Sequence, residues 1–449
     1  MQATARGVGR RLVCLVTVGN IRMQASFSSP HVPPFPQLPA TQVVRGLRRG
    51  GYAFVSEQCE RLHSDVFQTR MLLRTATFAR GADAAAAFYH PGRFTRCGAL
   101  PPTTVALLQG FGSVQRLDGD AHLQRKRLFR ALLAPDASAA LVDEFRRQWR
   151  ERAREWVRMP QLVLQQEAEL VLCRAVCRWA GVPLDAAQSQ RRAGEFAAMI
   201  DGAGSAGARW WRGWWRRKRS ERWIRGVIRA LRREATPDPA TPAAAIAAYR
   251  DTQGRTLSVR VAAVELINLL RPTVAVARWI TFAALALHQH PRLLQRLRLG
   301  ESGLLRNVVQ EVRRFYPFFP MVGGRVRTPF QWRGRNFRRG EWMMVDLYGT
   351  NHDPTLWTQP QRFDPDRFRD RAVGSFDLVP QGGGSVEQGH RCPGEDPAIA
   401  LLMAAVEELA MGCDYEVPAQ DLHYPLNRFP TLPRSGFVIR GMRLRDTRV

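Results

Sequence analysis

At 449 residues, 45% of them apolar, the chain is long enough to bury a large core as one domain or two. Its 67 basic and 39 acidic residues leave a formal charge of +28, nearly all of it arginine, with Lys126 and Lys218 as the lysines. The arginines are dispersed through helical patterns and carry no nucleic-acid-binding signature, which argues against a nucleic-acid partner, and no apolar run is long enough for a transmembrane helix. What remains is a positive field that attracts anions, carboxylates among them.

Seven arginines and no acid precede Glu57, with a short apolar run over 12–18 and serines at Ser26, Ser28 and Ser29. This pattern weakly resembles an organelle transit peptide. Residues 1–31 are read as an N-terminal extension, targeting or disordered, with Met23 as an alternative start, and 32–449 as one catalytic domain. The seven cysteines are odd in number and scattered, which argues against a disulfide framework and for a reducing compartment. The cytoplasm is therefore the expected location, with organelle targeting through the Arg-rich N-terminus as the alternative.

In chain order, Tyr52-Ala-Phe-Val and Ala76-Thr-Phe-Ala are β-prone. From about 120 to 300 the apolar spacing is helical. Cys173 and Cys177 lie one turn apart there, with no second pair spaced to complete a metal site, so they read as core. Trp210-Trp-Arg-Gly-Trp-Trp-Arg-Arg-Lys-Arg reads either as a membrane-touching cluster or as an exposed loop or helix end. At most, peripheral membrane contact is expected. The clearest helix runs from Ser258 to His290, ended by Pro291. After Pro317 come strands over 324–327, 330–333 and 342–346, then a last helix from about Pro393 to Met411 and a strand near the C-terminus. The fold class is mainly α with small β-sheets, in a single large domain.

The most informative segment is Gln381-Gly-Gly-Gly-Ser-Val-Glu-Gln-Gly-His-Arg-Cys-Pro-Gly-Glu. Glycines such as Gly382 let backbone pass close to a flat ligand. Pro393 and Glu395 suit the first turn of a helix, which places Cys392 at a helix N-terminus, where thiolate is favoured over thiol. A second signal is Arg271, followed by Pro272, amid apolar residues of the long helix. A buried guanidinium is costly unless it meets an anion, and its fork suits a carboxylate. Glu265, six residues away on a different helical face, is a poor internal partner.

Glu311-Val-Arg-Arg314 puts Glu311 and Arg314 on one helical face, and Phe363-Asp-Pro-Asp-Arg-Phe368 offers Arg367 as a third member. In this order before Cys392, these residues resemble the cytochrome P-450 family of haem-thiolate enzymes. Most members carry Phe and Gly where this chain has Ser385 and Gln388. The form of the cysteine loop is instead similar to the bacterial fatty-acid peroxygenase branch. So are Asp346-Leu-Tyr-Gly-Thr-Asn-His-Asp-Pro, Cys59-Glu-Arg-Leu-His-Ser-Asp-Val-Phe and Leu422-His-Tyr-Pro.

The resemblance implies a cytochrome P-450 fold and a haem b whose iron is ligated by Cys392, with Gln381 and Gly382 in the loop against it. Glu311, Arg314 and Arg367 would brace the core behind the haem. His122 and Lys126, four residues apart on one helical face, would meet a propionate. Arg271 and Pro272 would bind a long-chain fatty acid by its carboxylate, which then acts as general acid–base for cleaving hydrogen peroxide. The acid–threonine pair of ordinary monooxygenases is missing around Thr273 and Thr281, so no reductase is expected. Gln115 occupies the position near the α and β carbons, where Gln accompanies hydroxylation and His accompanies decarboxylation. Gln109 stands where a pocket phenylalanine is usual, Ala203 is smaller than the common aromatic, and Phe318 keeps the distal aromatic. The expected activity is peroxide-dependent α- or β-hydroxylation. The alternatives are decarboxylation to terminal alkenes, a reductase-dependent monooxygenase, or a haem sensor or carrier without turnover.

Overall fold

Proline opens several helices of this chain, because its fixed φ suits the first turn and its missing N–H costs nothing there. Pro135 starts Pro135–Trp156, Pro242 starts Pro242–Ala248 and Pro291 starts Pro291–Arg298. Pro291 therefore begins a helix as well as ending the one before it. The computed structural model describes residues 34–71, 74–234 and 241–445. The extension expected over 1–31 lies outside the described residues. From Phe35 onward they belong to one compact unit, mainly helical with small sheets.

The long helix expected from Ser258 to His290 is two, Val259–Ala275 and Ala277–Gln289, with the Ser258 hydroxyl capping the first at Val261 N–H. Pro272 has no N–H to offer the carbonyl one turn before it, and within four residues the ladder tightens, Val276 N–H turning to Thr273 O at 3.1 Å. Both helices are buried almost all round, as a central element must be. They pack against Leu164–Trp179, where Cys173 and Cys177 are core residues. The helix Ala208–Leu231 lies against Ala186–Gly202 and Val259–Ala275. Its tryptophan cluster occupies its first turns.

The segment Tyr52–Val55 was expected as strand, but Phe54–Arg61 is helix. Phe54, Val55 and Cys59 bury one helical face against Val43, Phe67 and Phe78, and that packing overrides local β-propensity. The main sheet runs Val66–Met71, Arg74–Ala79, Trp342–Asp346, Met321–Val326, Phe94–Thr95. The parallel pairing of Arg74–Ala79 with Trp342–Asp346 sets Phe78 beside Met344. Phe330–Trp332 and Arg335–Phe337 form a hairpin whose turn residues Arg333 and Gly334 both have positive φ. Gln161–Val163, Val438–Leu444 and Cys413–Glu416 make the third sheet. Among the described residues no helix is long and apolar enough to cross a membrane.

Candidate active site

The cysteine loop is held from both ends. Cys392 N–H donates to Gln381 O at 3.2 Å, and Gln381 Nε2 approaches Cys392 Sγ at 3.8 Å. Gly382 has φ +99°, and a Cβ there would stand 2.8 Å from the Tyr89 hydroxyl. No side chain but glycine fits. The following helix is Glu395–Ala410, so it begins two residues later than Pro393, with Gly394 as its cap. Glu395 anchors the turn by accepting from both Arg391 and Arg313, and Arg313 also donates to Gln381 Oε1 at 3.1 Å. The helix terminus does not make Cys392 acidic. Burial pushes its thiol up, against the Gly394 N–H, Gln381 and Lys126, which pull it down. A thiol in that setting becomes thiolate when it coordinates a metal cation.

Behind the loop, Glu311, Arg314 and Arg367 come together. Arg314 donates Nε and Nη2 to the two carboxylate oxygens of Glu311 at 2.7 and 2.8 Å, and Arg367 Nε reaches Glu311 Oε1 at 3.2 Å. Arg314 Nη1 also caps Asn351 O and Pro360 O at 2.9 and 3.0 Å. The neighbouring His352 is pushed down to about 3, by burial first and then by Arg314. It is neutral in the fold and protonates readily once unfolded. Stability tied to it is complete above the ordinary histidine range and declines as pH falls from there toward 3, by at most about 1.4 kcal/mol per pH unit. Melting between pH 7 and pH 5 is expected to be less pH-dependent in His352→Gln than in the wild type; equal slopes would refute this.

On the other side, Arg271 is buried in Val259–Ala275 and donates Nη2 to Leu108 O at 2.7 Å. Among the described residues no carboxylate pairs with it, and its Nε has no partner. Burial, with Arg217 nearby, pushes it down to about 9. Pro272 is half-buried beside it. Glu265 does face elsewhere: it accepts from Val114 N–H at 2.7 Å and Arg125 Nη1 at 3.1 Å. That contact ties the short turn Val114–Arg116, and hence Gln115, to the long helix. Asn268 adds a bond to Gln109 O at 2.8 Å and a weaker one to Gln115 Oε1 at 3.4 Å. Gln109 thus joins the network through its backbone. Phe318 stacks on Trp279 with ring centroids 3.9 Å apart. Thr273 and Thr281 spend their hydroxyls on Leu269 O and on Gln165 Oε1 and Ala277 O.

His122 and Lys126 lie on Gly119–Leu132 and are both buried, but each engages the cysteine loop. Lys126 Nζ donates to Gly389 O and Arg391 O, and the His122 ring lies against His390, tilted by 33° with centroids 4.1 Å apart. Burial pushes Lys126 down to about 8 and His122 to about 4. Arg96, also buried, is pushed down to about 10; it lies 3.9 Å over the Phe88 ring and donates to Gly323 O. Arg96, Lys126, Arg271 and Arg278 are buried cations with no carboxylate in ion-pair reach among the described residues, and Arg278 gives Nη1 to Thr431 O at 3.2 Å. Desolvated cations call for anions. A haem, with two propionates and a metal for Cys392, fits this donor set, and leaves Arg271 for a further anion. Arg313, His390 and Arg391 were missed although they lie inside the motifs; Arg96 carries no sequence signal at all.

A family model described as Cytochrome P450 matches residues 290–434. The structure of cytochrome P450SP alpha in complex with (R)-ibuprophen is 43% identical, aligned over 89% of this chain and 98% of that one, with a TM-score of 0.86. Wild-type cytochrome P450EX alpha with myristic acid is 37% identical over 92% of this chain and 100% of that one, with a TM-score of 0.87. Among curated relatives, Rhazimal synthase of Alstonia scholaris is 27% identical over 148 residues, 28% of this chain and 29% of that protein. The chain thus spans under a third of that relative but nearly all of the two solved structures. With the thiol loop, the buried Glu311–Arg314–Arg367 brace and this similarity over the whole described core, the chain belongs to the cytochrome P450 family, in its fatty-acid peroxygenase branch.

Proposed function

We propose that residues 32–449 bind haem b through Cys392 and use hydrogen peroxide to hydroxylate a long-chain fatty acid at its α or β carbon. The observation that carries this reading is Arg271, a buried guanidinium with no carboxylate partner among the described residues, within electrostatic reach of Cys392. The balanced reaction is fatty acid plus hydrogen peroxide giving hydroxy acid plus water. When bound, the haem supplies the redox chemistry that moves one peroxide oxygen to carbon. Gln381, Gly382 and the Arg313–Glu395–Arg391 anchor would hold Cys392 in place, and Arg96 would receive a propionate, with His122 and Lys126 joining it on release from the loop they contact here. Arg271 holds the substrate carboxylate, whose oxygen carries the proton between the two peroxide oxygens. Its guanidinium would hold the carboxylate end and so fix the first carbons of the chain near Arg271.

This division of labour needs no reductase; among the described residues the hydroxyls of Thr273 and Thr281 bond to Leu269 O, Gln165 Oε1 and Ala277 O and to no carboxylate. Myristic acid in the P450EX alpha structure supports a fatty-acid substrate here as well. A cytoplasmic location is proposed on the basis of the scattered cysteines, the six among the described residues being free. The holoenzyme is to be incubated with peroxide and a chain-length series of fatty acids, and the products identified by mass spectrometry. Hydroxy acids are expected. Turnover only with NADPH and a reductase, or ligand-induced spectral change with no product from any oxidant, would overturn the proposal.

Decarboxylation to a terminal alkene is the competing outcome within the same site. Gln115 is held by Asn268 at a loose 3.4 Å, so its side chain adjusts at little cost. Gln115→His is expected to raise the alkene share of the product several-fold, read from headspace and extract together. An unchanged product ratio would remove Gln115 from the choice of product.

A further inference from the structure

The helix Ala208–Leu231 has one face fully committed to the fold. Gly213, Arg217, Ser220, Ile224 and Ile228 are buried there, and a Cβ on Gly213 would stand 2.8 Å from Ala198 O. The opposite face is unlike an ordinary solvated one. Trp211 and Trp215, one turn apart, expose 53% and 63% of their surface, and Lys218, Arg222 and Arg229 continue the same stripe, all exposed. Exposed indoles are unfavourable in water but suited to a lipid headgroup boundary, where an apolar body and a polar N–H are both accommodated.

The two indoles rest on a fixed base. Trp210 donates its Nε1 to Thr103 O at 3.1 Å, and the ring pairs Trp210–Trp211 and Trp214–Trp215 sit 4.8 and 4.9 Å apart. Little rotamer freedom remains to be lost on docking. The nearby acids are already engaged: Glu221 by Arg217 and Lys218, Asp201 by Arg209, Arg212 and Arg428, and Glu195 by Arg192 and Arg219. Arg216, Arg222 and Arg229 have no carboxylate in ion-pair reach among the described residues. Two projecting tryptophans flanked by free guanidinium groups match the interfacial pattern of an anionic bilayer.

We infer that this helix face docks the protein on an anionic phospholipid surface, the indoles entering the headgroup layer and the arginines meeting lipid phosphates. The surface lies directly over the active site, since Arg217 on its underside donates to Leu107 O while Arg271 holds Leu108 O. A long-chain acid would then be delivered from the membrane. The docking itself does not depend on the catalytic reading.

The test is co-sedimentation of the full chain with phosphatidylcholine vesicles, with and without phosphatidylglycerol, beside a Trp211→Ala/Trp215→Ala variant and an Arg222→Gln/Arg229→Gln variant. Binding to phosphatidylglycerol vesicles is expected to be at least tenfold stronger than to phosphatidylcholine alone and to weaken with salt. It should fall at least tenfold in the tryptophan variant and several-fold in the arginine variant, with thermal melting unchanged in both. A tryptophan variant that binds like the wild type would assign the attraction to diffuse charge and overturn the inference. So would equal binding to both vesicle types, or single-stranded RNA competing the protein off the vesicles at equal phosphate.

Discussion

Arg271→Ala is expected to lower kcat/KM for a long-chain fatty acid by about two orders of magnitude or more, because one partner of a buried charge pair is lost. The same substitution should not destabilise the substrate-free protein. Arg271 is buried with its Nε unpartnered and no carboxylate beside it, so its removal relieves a desolvation cost and forfeits one bond to Leu108 O. This opposite sign is diagnostic. A residue that merely supported the helix would lose stability along with activity. Arg271→Lys keeps the charge but not the planar fork, and should recover only part of the loss. Peroxide-driven turnover, fatty-acid titration of the haem spectrum and thermal melting read the three quantities. A variant that hydroxylates as well as the wild type would end the substrate-carboxylate mechanism.

Glu311→Ala is expected to cost about 3–5 kcal/mol of folding stability, the range for breaking a buried ion pair from one side. Glu311 is fully buried and accepts from Arg314 twice, from Arg367 and from Asp364 N–H. Its loss leaves two guanidinium groups facing each other without an anion. Glu311→Gln keeps an acceptor but turns an amide N–H₂ toward those groups, so it should recover little. Urea unfolding of holoenzyme samples measures the difference; a value within about 1 kcal/mol of wild type, the size of an exposed pair, would contradict the buried brace.

Both residues were visible in the sequence for the same reason. A charge in a run of apolar residues, or a Glu and an Arg one turn apart, reports a local spacing that survives into the fold. Cys392 with its glycines is of this kind, since Gly382 is demanded by close approach to Tyr89 and its neighbours are contiguous. Arg96 is the contrary case. Nothing within ten residues of it marks a ligand, and its importance arises from Phe88, Tyr89 and Gly323 gathering around it. Helical spacing keeps Glu265 away from Arg271, but its bond to Arg125 joins residues 140 apart, beyond the reach of any periodicity.

Local chemistry in the chain alone thus determined the mainly helical class, the thiol loop, the pairing of Glu311 with Arg314 and the solitary arginine beside Pro272, while the bracing role of Glu311, Arg314 and Arg367 was implied by the family resemblance. Tertiary structure decided what those pieces face. It turned Phe54–Arg61 into helix by packing, split the long helix near Pro272, and set the cysteine's helix two residues later. It made burial, not the helix terminus, the dominant influence on Cys392, and turned Lys126 toward loop carbonyls. Spacing along a chain records which groups share a face, whereas desolvation depends on what the rest of the molecule brings against that face.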